Sequence, residues 1–248
     1  MRRILRVGGA DGPEFLQGLV TNDVTRAPCW AALLTPQGKY LADFLIVPQA
    51  ESLLVDVDAR LADDLMRRLS LYRLRAAVDL AETSLKVMRG TGAPPEGAIP
   101  DPRHPALGWR LYGDTDGDGG TDWDAIRVAH TIPETLVELI PNETFILEAG
   151  LERLHGVDFR KGCYVGQEVT ARMKHKTDLR KGLVGVTVEG AAPVGTPILM
   201  ADGREAGVLF TQSGGRAIAH LRFDRMDSPL TAGDAAIHAT DERAQATP

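Results

Sequence analysis

The chain of 248 residues is long enough to bury a substantial core, as one large domain or as two to three small ones. Its 44% apolar and 25% charged residues exclude wholesale disorder, and its net charge of −6 argues against general nucleic-acid binding. No apolar run reaches the roughly 18 residues of a membrane-spanning helix, and the first residues lack a signal-peptide core, so we expect a cytoplasmic protein without a membrane partner.

The first 120 residues predict short strands and two helices. The first helix is expected over Asp11–Val20, with Asp11 as its N-cap and Pro13 in its first turn. Leucines at every fourth position from 61 to 69 mark one face of the second helix. Pro36–Lys39 separates two apolar runs and predicts a hairpin, whereas Gly90–Pro105 predicts a loop. The predicted strands are Ala31–Thr35, Tyr40–Val47, Ser52–Val57, Arg73–Val78 and Leu85–Arg89.

The second half of the chain changes from helices to strands near Gly182. One helix is expected to begin at a capping box in Thr121–Asp124 and to end before Pro133, and another is expected over Glu143–Leu154. After Gly182, alternating valines and an Asp-Gly turn predict a small β-barrel or sandwich. Its expected strands are Val184–Val188, Ile198–Met200, Val208–Phe210, Ala217–Phe223 and Ala235–Ala239, before a frayed tail at residues 241–248.

An acidic run resembles the opening of a calcium-binding loop. Asp114, Asp116 and Asp118 precede Gly119, but the position that requires a bidentate glutamate holds Ala125. The flanking segments predict a strand and a helix cap instead of two helices. We therefore expect an acidic hairpin loop, and the sequence predicts no metal site.

One cysteine stands between two glycines in the segment Phe159–Glu168. Lys161 precedes Cys163 and a helix is expected to follow, and a cation and a helix N-terminus both lower the pKa of a thiol. Basic residues are frequent over Arg172–Lys181. The pattern predicts a reactive thiol beside an anion site, and the alternative is a buried structural cysteine before a charged helix face. The second cysteine, Cys29, is expected to be a small buried hydrophobe.

The eight residues Lys161-Gly-Cys-Tyr-Val-Gly-Gln-Glu168 match the signature K-G-C-[FY]-x-G-Q-E of the YgfZ family without a mismatch. The resemblance extends over nearly the whole chain, although Thr131 stands where the family has a glycine. Its further matches are Phe15–Asp23, Thr35–Lys39, Tyr72–Arg75, Ile132-Pro133 and Pro141–Glu143. The chain thus resembles a family of folate-binding proteins that support iron–sulfur cluster assembly.

The YgfZ family is similar to the glycine-cleavage T-protein, an aminomethyltransferase that uses tetrahydrofolate. This similarity implies an α+β fold, a cloverleaf of three subdomains around a central channel that holds the folate, with a C-terminal β-barrel. The implied folate-binding region is residues 1–181, divided into 1–47 with 120–181 and into 48–119. The implied barrel is residues 182–240, and the implied cofactor is tetrahydrofolate or a derivative.

The same resemblance suggests which residues would contact folate. Asp43 lies where the T-protein has a folate-side aspartate. Asp58 would touch folate or would serve as the N-cap of the following helix, two alternatives that the sequence leaves open. Arg127 would bind a carboxylate bidentately, and its alternative role is a surface salt bridge. The implied contacts are Asp43, Asp58, Arg127, Glu143 and Tyr164.

The resemblance implies a tetrahydrofolate-binding accessory factor for assembly or repair of [4Fe–4S] clusters in client enzymes. Cys163 would be a nucleophile, a redox thiol or a transient cluster ligand, Lys161 would favour its thiolate, and Gln167 and Glu168 would shape the loop. Because such clusters take four protein ligands, one cysteine must share a cluster with a partner protein.

Two other functions stay open at this point. One is a folate-dependent aminomethyltransferase or methyltransferase, although the T-protein has no Lys-Gly-Cys-Tyr motif here, so a glycine-cleavage enzyme is not expected. The other is an interaction module that has lost folate chemistry. We expect a monomer whose partners are folate and the iron–sulfur assembly or client proteins, with no nucleic acid.

Overall fold

A computed structural model describes residues 1–176 and 178–240. These residues form two compact units, which are described separately. Unit 1 contains residues 1–121 and 154–171, and unit 2 contains residues 122–153 and the described residues from 172 to 240. The predicted tail at 241–248 lies outside the described residues. None of the described helices has the length and apolar character that crossing a bilayer requires.

Unit 1 is built on a five-stranded antiparallel sheet with the order β2-β3-β4-β1-β5. A second sheet of three strands has the order β6-β8-β7. The elements are β1 (Arg2–Gly8), α1 (Gly12–Gln17), β2 (Cys29–Leu34), β3 (Tyr40–Gln49), β4 (Ser52–Asp58), α2 (Ala59–Arg73), β5 (Asp79–Glu82), β6 (Lys86–Gly90), β7 (Ile99–Pro100) and β8 (Trp109–Gly113).

The large sheet is covered on both faces, which explains why β3 is buried over eight consecutive residues. On one face, α2 packs through Ala62, Leu65 and Leu69 against the main core. On the other face, Ile4 and Val47 belong to a smaller core that includes residues of β6, β7 and β8. The leucine spacing therefore predicted the helix and its buried face correctly, and the first hairpin and the strand after it are confirmed.

Two predictions in unit 1 need correction. The strand expected over Arg73–Val78 is wrong, because α2 continues to Arg73 and the next strand, β5, begins only at Asp79. The first helix is shorter than expected and ends at Gln17. Asp11 occupies its N-cap position, but its carboxylate accepts a hydrogen bond from the backbone of Ala77 instead of capping the helix.

Unit 2 contains the predicted β-barrel, which is closed by six antiparallel strands in the order β10-β11-β12-β9-β14-β13. Inward-facing valines at alternate positions of β9 help to fill its core, as the sequence pattern predicted. One strand, β13, was missed because it has only three residues. The strands are β9 (Lys181–Glu189), β10 (Pro197–Met200), β11 (Glu205–Ser213), β12 (Arg216–Arg222), β13 (Leu230–Ala232) and β14 (Ala235–Ala239).

The helices of unit 2 differ in part from expectation. Helix α3 (Trp123–His130) is capped by Asp122, whose side chain accepts a hydrogen bond from the Ala125 backbone. The helix expected over Glu143–Leu154 is wrong, because this segment is a series of turns. The left-handed backbone of Gly150 interrupts a continuous helix there, and Asn142, directly before the segment, is also left-handed. Helix α4 (Gln167–Lys176) follows the cysteine segment, where a helix was expected.

The division of residues 1–240 into three subdomains stays a prediction. Its expected boundary at residue 47 falls inside β3, which pairs with both β2 and β4 in one sheet. The acidic run at 114–118 lies between a strand, β8, and the cap of α3, as its flanking segments predicted, but it links a strand to a helix and is not a hairpin loop. Among residues 1–176 and 178–240, no group of three or more His, Cys, Asp or Glu side chains is arranged to hold a metal ion.

Candidate functional site

The two cysteines of the chain have opposite environments. Cys163 is exposed on the loop before α4, and a Cβ added at the preceding Gly162 would meet no atom within 4 Å. Cys29 is buried in β2, where burial raises the pKa of its thiol to about 12. The expectation of a buried Cys29 is confirmed, and the alternative of a buried Cys163 is wrong.

Lys161 fastens the cysteine loop to the end of α1. Its side chain is buried, and its Nζ donates hydrogen bonds to the backbone oxygens of Gln17 at 2.6 Å and Val20 at 2.5 Å. The ammonium also lies 5.2 Å from the centre of the Tyr164 ring. Burial lowers the pKa of Lys161 to about 8. These hydrogen bonds hold the loop in place, while the effect of Lys161 on the thiolate of Cys163 stays a prediction.

The other side of the loop is fastened by close backbone contacts with the β2–β3 hairpin. Gly166 has a φ of +82°, and a Cβ at this position would lie 2.6 Å from the carbonyl oxygen of Thr35. Gly38 has a φ of +75°, and a Cβ there would lie 2.9 Å from the Cβ of Val169. Two segments that carry the family resemblance, Thr35–Lys39 and the cysteine signature, therefore pack directly on each other. The exposed thiol stands between two anchored ends.

Three further signature residues surround this loop. Gln167 begins α4, and its backbone N–H donates to the oxygen of Tyr164 at 3.2 Å. Glu168 is exposed in the first turn, where a negative charge interacts favourably with the helix dipole. Burial raises the pKa of Tyr164 to about 12, and the nearby Thr170 hydroxyl offsets part of this rise. The Tyr164 hydroxyl makes no hydrogen bond of ordinary geometry with the described residues.

Asp43 is a buried carboxylate held by two aromatic side chains. It accepts a hydrogen bond from Trp30 Nε1 at 2.9 Å and from the Tyr40 hydroxyl at 2.7 Å. The guanidinium of Arg103 lies 5.9 Å from the centre of the Trp30 ring. This arrangement fixes the orientation of the carboxylate in a site with little access to water.

The same unit contains an ionic network that the sequence did not predict. Arg110 bridges the buried carboxylates of Asp56 and Asp101, with both contacts at 2.8 Å, and Arg103 makes a second ion pair with Asp101. Burial alone would raise the pKa of Asp101, but the two arginines hold it well below its usual range. No sequence pattern indicated this network, because Asp56 and Arg110 are 54 positions apart.

Asp58 serves as the N-cap of α2. Its carboxylate accepts hydrogen bonds from the backbone and the guanidinium of Arg60, all at 2.9 Å. Burial alone would raise the pKa of Asp58, but the hydrogen bonds from Arg60 lower it. The structure therefore confirms the N-cap alternative for this residue.

Arg127 and Glu143 belong to unit 2. Arg127 is buried, and it donates to Glu138 at 3.1 Å and to Asp124 and Thr211 at 2.9 Å each. Burial would lower the pKa of Arg127, but the attraction of Glu138 raises it above its ordinary value. The pair with Glu138 is interior, whereas Asp124 is exposed, so the surface salt bridge that was the alternative for this arginine is present with one of these two partners. Glu143 is exposed in a turn after Pro141.

The structure thus brings together some of the predicted site residues. The signature residues Lys161, Cys163, Tyr164, Gln167 and Glu168 share one loop and helix start in unit 1. In the same unit, Asp43 and Asp58 lie on the paired strands β3 and β4.

Comparison with known proteins identifies relatives along most of the chain. The mouse and human mitochondrial iron–sulfur cluster assembly factors IBA57 are each 30% identical, over 92% of this chain and 78% of their own length. The chain belongs to the IBA57 family. A mitochondrial IBA57 homologue of Neurospora crassa is 34% identical over 77% of the chain, which spans about half (54%) of that relative.

Two further comparisons concern the fold. Residues 180–244 match the model of the CAF17 C-terminal β-barrel domain. The crystal structure of glycine cleavage system aminomethyltransferase T from Bartonella henselae superimposes with a TM-score of 0.74, over 96% of this chain and 82% of that protein. At 13% sequence identity, this likeness concerns the fold alone. The expected α+β fold of the T-protein type with a C-terminal β-barrel is confirmed.

The family membership refines one expectation and corrects another. The sequence resemblance led to the YgfZ family, whereas the relatives found by comparison are IBA57 proteins. The expected cytoplasmic location is contradicted, because these IBA57 relatives are mitochondrial proteins. The composition and the two unpaired cysteines indicate a reducing compartment, but they do not distinguish the cytoplasm from other reducing compartments.

Proposed function

We propose that this IBA57-family protein supports the assembly or repair of [4Fe–4S] clusters in client enzymes through Cys163. The observation that carries the proposal is the exposed thiol on a loop anchored at both ends, by Lys161 on one side and by Gly166 on the other. A fixed loop presents the sulfur to a large partner without a conformational search. The IBA57 relatives, which are named as iron–sulfur cluster assembly factors, support the same function.

The number of cysteines limits how the protein can act on a cluster. An iron–sulfur cluster takes four protein ligands, and Cys29 is buried in the sheet of unit 1. Cys163 therefore contributes at most one ligand, and a partner protein supplies the others. In this proposal the cluster is cargo that Cys163 contacts during transfer.

Complementation in cells that lack the protein tests this function. The Cys163→Ala variant should fail to restore the activity of [4Fe–4S] enzymes, while enzymes without a cluster should keep theirs. Cys29→Ala is the matched control and should restore activity, because its thiol is inaccessible. Full complementation by Cys163→Ala, at equal protein level, would exclude the thiol from the function.

We also propose that unit 1 binds tetrahydrofolate beside Asp43. A buried carboxylate that Trp30 and Tyr40 hold in place suits the N–H groups of a pterin, and the Tyr164 hydroxyl would gain a hydrogen-bond partner from a ligand. Asp58 and Arg127 do not fit this role, since one caps α2 and the other is bound within unit 2.

Calorimetric titration with tetrahydrofolate tests the folate proposal. Asp43→Asn should weaken binding by about 1–3 kcal/mol, the usual cost of a lost buried hydrogen-bond partner. Asp58→Asn should reduce stability through the weakened cap and leave the affinity unchanged. No measurable binding by the wild-type protein would remove tetrahydrofolate from the proposal and leave the role of Cys163 intact.

The alternative function is a folate-dependent aminomethyltransferase or methyltransferase, for which the fold shared with aminomethyltransferase T is the supporting observation. Incubation with tetrahydrofolate and an aminomethylated lipoyl carrier separates the two functions. We expect no turnover, and catalysed release of methylenetetrahydrofolate would favour the enzyme.

A further inference from the structure

The C-terminal end of α2 exposes an unusual amount of apolar surface. Leu71 is 65% exposed, Tyr72 is 40% exposed and Leu74, directly after the helix, is 87% exposed. Three of the six large apolar side chains that the described residues expose thus fall within four positions. Single exposed leucines are common, whereas a group of them marks an interaction surface.

The backbone at this point is strained. Leu74 has a φ of 47° and a ψ of −106°, in the half of conformational space that favours glycine. This conformation leaves the Leu74 side chain in solvent, so its apolar surface does not stabilise the fold by burial. Backbone strain without a folding benefit is typical of functional positions.

The apolar group is flanked by two arginines that have no ion-pair partner in the part of the chain that the structure describes. These are Arg73 and Arg75, and both are exposed. By contrast, three other arginines of unit 1 are paired: Arg3 with Asp63 and Glu82, Arg26 with Asp23 and Asp158, and Arg67 with Asp64. The two unpaired guanidinium groups can therefore bind carboxylates of another molecule without breaking a contact.

We propose that residues 71–75, the α2-end patch, bind a partner protein. The partner's binding surface would be acidic around an apolar centre. The apolar centre of the partner's surface would contact Leu71, Tyr72 and Leu74. The surrounding carboxylates of the partner would pair with Arg73 and Arg75. Tyrosine and arginine are the residue types that dominate binding energy at protein interfaces. The patch uses none of the residues of the cysteine loop or of the proposed folate site, so the inference is independent of both.

Two other occupants fit the patch less well. A second copy of the chain in a two-fold contact would bring Arg73 and Arg75 against the same residues of the copy, and the like charges would repel. A bilayer would take up only three apolar side chains, which gives marginal and reversible binding. A protein surface can match both the apolar centre and the two guanidinium groups.

Photo-crosslinking of the full chain in its host cells identifies the occupant. The Leu71→p-benzoylphenylalanine variant places the reactive group in the patch. We expect one predominant protein adduct whose crosslinked peptide is rich in Asp and Glu, and this adduct should disappear when Arg73→Glu and Arg75→Glu are added. Crosslinking to lipid, to a second copy or to nothing overturns the proposal.

Binding of the identified protein to the purified full chain then tests the chemistry. The double variant Arg73→Glu/Arg75→Glu should weaken binding at least tenfold. The matched control is Arg204→Glu/Arg222→Glu, which reverses two paired arginines of the barrel and should change affinity less than twofold.

Leu74→Gly separates docking from folding. Glycine relieves the left-handed backbone, so the variant should melt at a higher temperature than wild type while it binds the partner at least fivefold more weakly. Unchanged affinity in Leu74→Gly or in the double arginine variant overturns the proposal.

Discussion

Gly166 lies so close to Thr35 that a Cβ on the glycine would stand 2.6 Å from the threonine carbonyl oxygen. This contact joins the loop that carries Cys163 to the turn between β2 and β3. Because β2 and β3 contribute buried residues to the main core of unit 1, this contact ties the loop to that core. The glycine contact therefore helps to fix the loop that carries the thiol.

Replacement of Gly166 should show this coupling directly. Gly166→Ala introduces a Cβ that meets the Thr35 oxygen, and it places an alanine at a φ of +82°. We therefore expect the free energy of unfolding to fall by about 1–3 kcal/mol. Gly162→Ala, on the other side of Cys163, meets nothing within 4 Å and should leave stability within about 1 kcal/mol of wild type. Urea denaturation of both variants measures the difference, and equal stabilities would show that the loop is not anchored at Gly166.

The interior ion pair between Arg127 and Glu138 in unit 2 should contribute far more to the free energy of unfolding than an exposed ion pair does. Arg127→Ala leaves the buried carboxylate of Glu138 without its partner, and we expect a loss of about 3–5 kcal/mol. Arg204 makes an exposed pair with Asp202, and Arg204→Ala should reduce stability far less. Thermal or urea unfolding compares the two, and a small effect of Arg127→Ala would mean that its guanidinium is not structural.

The thiols should differ strongly in reactivity. At neutral pH, iodoacetamide should label Cys163 readily and Cys29 very slowly, because burial both blocks access to Cys29 and raises the pKa of its thiol to about 12. Mass spectrometry of timed samples measures both rates in one protein. In urea the two rates should converge, since unfolding removes the burial. Equal rates in the native protein would contradict the environments described for the two cysteines.

Local patterns in the sequence predicted the parts of the fold that local physics determines. The spacing of the leucines at 61, 65 and 69 predicted α2 and its buried face, and the alternating valines predicted a barrel strand. The segment 143–154 was predicted wrongly as a helix, because its apolar residues are buried by a series of turns with left-handed residues at Asn142 and Gly150. Helical spacing alone cannot distinguish these two ways of burying the same side chains.

The candidate site shows the same limit. Cys163 could be found from its neighbours in sequence, because a cysteine between glycines before a helix is a local signal. The partners of Lys161, Gln17 and Val20, are 144 and 141 positions away, so its side-chain direction could not be read from the signature. The partners of Arg127 could not be predicted for the same reason, since Thr211, one of them, lies 84 positions away.

The burial of Lys161 predicts a pH dependence that a surface lysine would not show. Burial lowers its pKa from 10.5 to about 8, so the unfolded chain binds this proton more tightly than the folded protein does. Stability from this group is therefore fully present above pH 10.5 and is lost as the pH falls through about 8. The free energy of unfolding of wild type relative to Lys161→Met should rise by up to about 3 kcal/mol between pH 8 and 10.5.

Urea titrations of both proteins at several pH values test this dependence. The comparison with Lys161→Met removes the contribution of tyrosines and other lysines, which titrate in the same range in both proteins. Lys161→Met should also keep the alkylation rate of Cys163 within a few-fold of wild type if the lysine positions the loop, because its hydrogen bonds go to Gln17 and Val20. A large drop in that rate without a difference in pH dependence would show that Lys161 activates the thiol instead.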